Sequence, residues 1–142
     1  MTAEVSDRTT GLMFWLQSVV ALLAGFAAVV VLSIGADALF HMAGVYPAGR
    51  EPMNEVGDNV LALSYRCVFG VLGSYIAARL APARPMLHAL ILGVIGTGLA
   101  TLGVVATWNM NMGPHWYPIS LVVTAMPMAW IGGALYRPRT TA

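Results

Sequence analysis

Four apolar runs, at about 12–41, 59–81, 86–108 and 116–136, leave this chain very few folds to choose from. Each is at least as long as the ~20 residues a helix needs to cross the hydrocarbon core of a bilayer. None of them holds more than two residues of the Asp, Glu, Lys, Arg class. What remains is short connections, too little to form a soluble domain beside the helices. Charged residues make up 9% of the chain and hydrophobic ones 58%, and the mean hydropathy is +0.76. A soluble domain carries about 25% charged residues. The fold class expected is therefore all-α: a polytopic membrane protein, an antiparallel four-transmembrane-helix bundle, with residues 1–142 forming a single integral membrane domain.

The same numbers exclude several functions. A net charge of +1 supplies no basic surface for nucleic acid. Cys67 is the single cysteine, so an intramolecular disulfide and a CxxC redox or zinc site are both ruled out. No GxSxG, HExxH or phosphate-binding glycine loop occurs, and no carboxylate pair lies inside a span. The chain reads as non-enzymatic, with no cofactor.

Charge in the connections sets the expected orientation. All seven basic residues are arginines. Arg79 and Arg84 flank the connection between the second and third helices, Arg137 and Arg139 lie in the C-terminal tail, and Arg8 lies near the N-terminus. The other two connections hold only Arg50, beside Glu51, Glu55 and Asp58. Short arginine-rich loops stay on the cytoplasmic side, so both termini are expected inside and the 42–58 and 108–115 connections outside. Trp15, Trp108, Trp116 and Tyr117 then fall near the two interfaces. Ala36-Asp37-Ala38 has the small-x-small form of a signal-cleavage site. The apolar run before it is too long, however, and Glu4 and Asp7 dilute the N-terminal charge, so the first helix is expected to be retained. Asp58 or Asn59 is the expected cap of the second helix, and Pro82 and Pro85 punctuate the turn to the third.

Small residues recur at helical spacing. The second helix carries Gly70, Gly73 and Ala77 on the stripe of Arg66; the third carries Ala89, Gly93, Gly96, Ala100 and Gly103. Lipid tails give helices no hydrophobic reason to associate, so close backbone approach at small residues must supply the attraction. In a hairpin turning near Ala83, Ala77 faces Ala89, Gly73 faces Gly93, Gly70 faces Gly96 and Arg66 faces Ala100. This register is the expected packing seam. The first helix has a weaker stripe, Ser18, Ala21, Gly25, Ala28, Leu32 and Gly35, and the fourth offers Ala125, Ala129 and Gly132.

Few polar residues reach membrane depth. Arg66 is the most demanding, since an intramembrane arginine costs at least ~2.5 kcal/mol and needs a partner. Asp37 lies at similar depth on the first helix, but the small-residue stripe of that helix points away from it. Backbone carbonyls, Glu55, Asp58, a lipid phosphate or outward snorkelling are alternatives. Asp37 and His41 stand one turn apart, and His115 belongs to the same outer end; a carboxylate with two imidazoles is a set that suits a divalent metal. Met110, Met112 and His115, with His41 and Met42, are softer donors of the kind that suits Cu(I). His88 opens the third helix and reads as an interfacial polar residue.

Ser64-Tyr65-Arg66, GVLGSYIAARLAP at 70–82, RPMLHALILGVIG at 84–96, ATWN with GPHWYP within 106–118 and GADALFH at 35–41 form a recognisable pattern. It resembles a family of uncharacterised bacterial four-helix inner-membrane proteins, and the resemblance implies a bacterial inner (cytoplasmic) membrane location. Taken together, the residues favour a non-enzymatic packing or interaction subunit, with the lipid bilayer and a second copy or another membrane protein as partners. A small oligomeric transporter or channel with Arg66 facing a solute is the first alternative. A metal-handling protein using Asp37, His41, Met110, Met112 and His115 is the second.

Overall fold

The computed structural model describes residues 2–47 and 51–137, with side chains from residue 10 onward. Arg50 and Arg139 lie outside the described residues, as do the side chains of Glu4, Asp7 and Arg8. The described residues form four α-helices and no strand: α1 (Thr2–Met42), α2 (Val56–Leu80), α3 (Pro85–Thr107) and α4 (Trp116–Leu135). All four are long and apolar enough to cross a membrane. α1 begins ten residues before the apolar run, because nothing in the polar segment 2–11 breaks the helix.

The ends differ from expectation at α2. Its N-cap is Glu55, with no side-chain cap bond. Asn59 is buried and does not cap the helix. Its amide donates instead to the carbonyls of Met53 (2.7 Å) and Glu55 (2.8 Å), tying the preceding connection to the helix. Met53 N–H then bonds the carbonyl of Met112 at 3.1 Å, which joins the 51–55 and 108–115 connections. Gly113 (φ 144°) is needed there, since a Cβ would lie 2.7 Å from the Met53 carbonyl oxygen. α2 stops at Leu80 and Pro85 opens α3, with Arg84 in the left-handed region (φ 46°) between them. α4 runs through Pro127 without interruption.

The interior is built of small residues. Ala21, Ala62, Ala77, Ala78, Ala89 and Ala129 are buried, and among the described residues no large side chain is fully so. Large apolar residues such as Val31, Leu39, Val68, Leu102 and Val123 face outward. This inverts the pattern of a water-soluble core, where large aliphatic side chains fill the inside.

The helices choose partners other than those the hairpin register requires. The most extensive contact is α3 with α4, followed by α1 with α2 and α2 with α4; α2 with α3 is looser. Among the described residues, no Cα of α1 comes within 8 Å of a Cα of α4. Gly73 does not face Gly93. It packs on α1, where a Cβ would strike Val29 and the Gly25 carbonyl. Gly93 packs on α4, where a Cβ would lie 2.5 Å from the Ala129 Cβ. Gly70 and Gly96 do not face one another closely either: their nearest neighbours are Met128 and Ala125, both on α4. Ala89 sits against Gly133, and Gly103 meets nothing within 4 Å. The closest approach to a backbone atom joins α4 to α2, where a Cβ on Gly132 would collide with the Val71 carbonyl and lie 2.9 Å from Tyr75 N. Smallness permits close approach to any neighbour, and α4 offered Ala125, Ala129, Gly132 and Gly133 to both α2 and α3.

Candidate functional site: an ion pair between two cavities

Where the expected α2–α3 seam fails to close, it leaves a hollow. A cavity of about 250 Å³ is walled by Gly70, Gly93, Gly96 and Ala100 together with Val29 and Ser33 of α1 and Thr124 and Ala125 of α4. A second, of about 360 Å³, lies toward the 51–55 and 108–115 connections and includes Met53, Thr107, Trp108, Met112 and Tyr117 in its wall. Arg66, Ala100 and Leu121 belong to both. Arg66 therefore stands where the two cavities meet.

Its position follows from α2. Arg66 lies ten residues inside the helix, and helical side chains lean toward their own N-terminus. The long arginine stem thus carries the guanidinium back toward the end of α1. There Nη2 donates to Asp37 Oδ2 at 2.6 Å, a charge-assisted bond. The second carboxylate oxygen, Oδ1, accepts from the Tyr65 hydroxyl. Tyr46 O–H donates in turn to the Tyr65 oxygen at 3.3 Å. Tyr46 lies beyond the helices, and burial pushes its phenol above its ordinary value, which keeps it a donor. Phe40 stacks on Tyr65 (centroids 5.5 Å apart, planes 23°), fixing the ring that holds Asp37. The Tyr117 ring of α4 lies 5.8 Å from the Arg66 guanidinium carbon.

The pair is not sealed. Arg66 and Asp37 side chains are 31% and 32% exposed. Arg66 Nε is enclosed and has no protein acceptor, although a buried unsatisfied donor costs about 1–3 kcal/mol. Asp37 reaches Arg66 because the inward row of α1 does not alternate three and four as its small residues suggest. After Gly25 it advances by four, through Val29 at Gly73 and Ser33 at the first cavity, to Asp37. An i±4 row is the commonest ridge in helix packing. The stripe through Ala28, Leu32 and Gly35 is displaced from it, and Gly35 meets nothing within 4 Å.

The metal sets fare differently. His41 Nδ1 donates to the Asp37 backbone carbonyl at 2.7 Å, and its ring packs edge-on against Tyr46. With the Asp37 carboxylate engaged by Arg66 and Tyr65, the structure does not bring Asp37, His41 and His115 together. Among the described residues no three His, Cys, Asp or Glu side chains converge. Met110, Met112 and His115 line the second cavity, without His41. His115 is tied to the Trp108 carbonyl through Nε2 at 3.0 Å. Sequence reasoning did not single out Tyr46, Tyr65 or Phe40 as parts of the site, and tyrosine near a membrane interface is too common to flag them. No family model, curated protein or solved structure matches this chain.

Proposed function

We propose that this chain is an antiparallel four-helix protein of a bacterial inner membrane that takes up a small carboxylate- or phosphate-bearing solute at Arg66. The antiparallel arrangement is supported by the order of the α3–α4 contacts: Ala89 meets Gly133, Gly93 meets Ala129 and Gly96 neighbours Ala125, so one helix ascends as the other descends. Arg79, Arg84 and Arg137 favour the cytoplasm for the 81–84 turn and the C-terminus. The outer cavity then approaches Arg66 from the opposite side, and Asp37 acts as the anion that a solute must displace or share.

One observation carries the reading: Arg66 lines both cavities and keeps an enclosed donor without a protein acceptor. The packing-subunit reading draws less support, because Gly73, Gly93, Gly132 and Gly133 are consumed by contacts within the chain. The protein acts here without catalysis.

A thermal-shift titration of the purified protein in mild detergent, with small carboxylates and inorganic phosphate, tests this. At one hundred times Kd a ligand stabilises by about 2.7 kcal/mol, which raises Tm by several degrees. Wild type should shift with at least one anion, and Arg66→Leu should fold yet lose that shift. A folded Arg66→Leu protein that shifts as wild type does, or a wild type indifferent to every anion, would exclude the site.

The topology is checked separately in a Cys67→Ala background. A cysteine introduced at Ala83 should resist an impermeant thiol reagent added to intact spheroplasts, and labelling there would reverse the orientation.

A further inference from the structure

A third cavity lies at the other end of the molecule and shares no residue with the site at Arg66. It occupies about 440 Å³ between α1 and α3, helices in only slight contact. Its walls are Trp15, Val19 and Leu22 from α1 and Leu87 and Ile91 from α3. Three polar side chains line it, Ser18 on α1 and Arg84 and His88 at the start of α3. Arg84 stands at the turn into α3, exposed and held in the left-handed region, and no carboxylate pairs with it among the described residues. His88 is only 6% exposed. Its Nδ1 donates to the Arg84 carbonyl at 3.3 Å, which leaves Nε2 with a free lone pair and no protein partner.

We infer that this cleft holds one anionic glycerophospholipid, its phosphate at Arg84, a headgroup hydroxyl donating to His88 Nε2, and an acyl chain against the apolar walls. Each part of the lipid meets a matching part of the cleft. A single guanidinium at the rim complements a phosphodiester, as basic pockets between membrane helices do. His88 is nine-tenths buried as a residue, and its partnerless Nε2 asks for a donor, which a glycerol or inositol headgroup carries and a choline headgroup does not. The apolar walls run from Trp15 to Leu22, seven residues or about 10 Å along the helix. A free phosphate would leave that surface unused, whereas an acyl chain covers it. The inference does not rest on the solute reading at Arg66.

Native mass spectrometry of the full chain in detergent tests it, with phosphatidylglycerol and phosphatidylcholine added in equal amounts. Wild type should retain phosphatidylglycerol at least about fivefold over phosphatidylcholine. Arg84→Gln should lower that ratio at least about twofold by removing the cation that favours the net-anionic lipid, whereas Arg79→Gln, at the same end but outside the cleft, should leave it unchanged. Ile91→Trp, which fills the cleft while keeping both polar groups, should lower retention of the lipid several-fold. Equal retention of the two lipids by wild type would overturn the inference. So would an Arg79→Gln loss as large as that of Arg84→Gln, which would make the effect one of interfacial charge. Displacement of the lipid by millimolar inorganic phosphate would assign the chemistry to free phosphate instead.

Discussion

Asp37→Leu should destabilise the protein more than Arg66→Leu does, although the two residues form a single pair. A carboxylate deprived of its cation can become neutral by taking up a proton, and Asp37 would still keep the Tyr65 hydroxyl as a donor. A guanidinium deprived of its anion has no such exit, because it does not lose its proton in proteins. Arg66 without Asp37 would be a bare charge between two largely apolar cavities. Breaking a fully buried pair by removing one partner costs about 3–5 kcal/mol. With each side chain about a third exposed, a loss of about 1–3 kcal/mol is expected for Asp37→Leu. The double variant Asp37→Leu/Arg66→Leu should recover much of that loss, since it removes the stranded charge. Thermal unfolding of the four proteins in one detergent closes the cycle. Equal losses for the two single variants, with no recovery in the double, would mean that the pair contributes nothing through charge.

An equally large effect is expected from a single methyl group. Gly132→Ala should weaken the α2–α4 contact by about 2 kcal/mol or more, because the new Cβ would land on the Val71 carbonyl and close to Tyr75 N. Both are backbone atoms of a helix and cannot rotate aside. Gly96→Ala, by contrast, should cost little, since its Cβ would reach the Ala125 Cβ at 3.9 Å, an ordinary contact. Gly103→Ala should stabilise modestly, by up to about 1 kcal/mol, because alanine is the better helix former and nothing lies within 4 Å. Unfolding midpoints would rank the three. A Gly132→Ala protein as stable as wild type would remove α2–α4 as the closest backbone joint. The hairpin register, with Gly70 against Gly96, predicts the reverse order for Gly96 and Gly132.

These contrasts mark what the residues alone disclose. Helix existence is legible because a run of twenty apolar residues has one physical outcome, and the ends of α2, α3 and α4 fall within three residues of where the runs place them. Partner choice is not. A constant residue sum follows from the 81–84 turn for any hairpin, but glycine has no shape of its own to say which neighbour it meets. The α2 and α3 stripes were open to α4 as well, and the space left between Gly70 and Gly96 became a cavity. Arg66 was conspicuous through the cost of its charge. Asp37 as its partner was obscured by a stripe read through Ala28 and Leu32, when the row that counts runs through Val29 and Ser33. The tyrosines around Asp37 carry no spacing signal, since Tyr46 comes from a connection and Tyr65 from another helix.

The helices are also unequal in a way that bears on the bilayer around them. The apolar run of α1 before Asp37, at 12–36, has 25 residues, and α4 has 20. At 1.5 Å per residue these are about 38 Å and about 30 Å. α4 matches an average hydrocarbon thickness and sits against both α2 and α3. The apolar run of α1 exceeds that thickness by about one and a half turns, and no Cα of α1 comes within 8 Å of a Cα of α4. Hydrophobic mismatch is thus concentrated on one flank, where α1 must tilt or the adjoining leaflet must thicken. Membranes of different thickness would meet that demand to different degrees, which makes the protein's preferred surroundings a property of its longest helix.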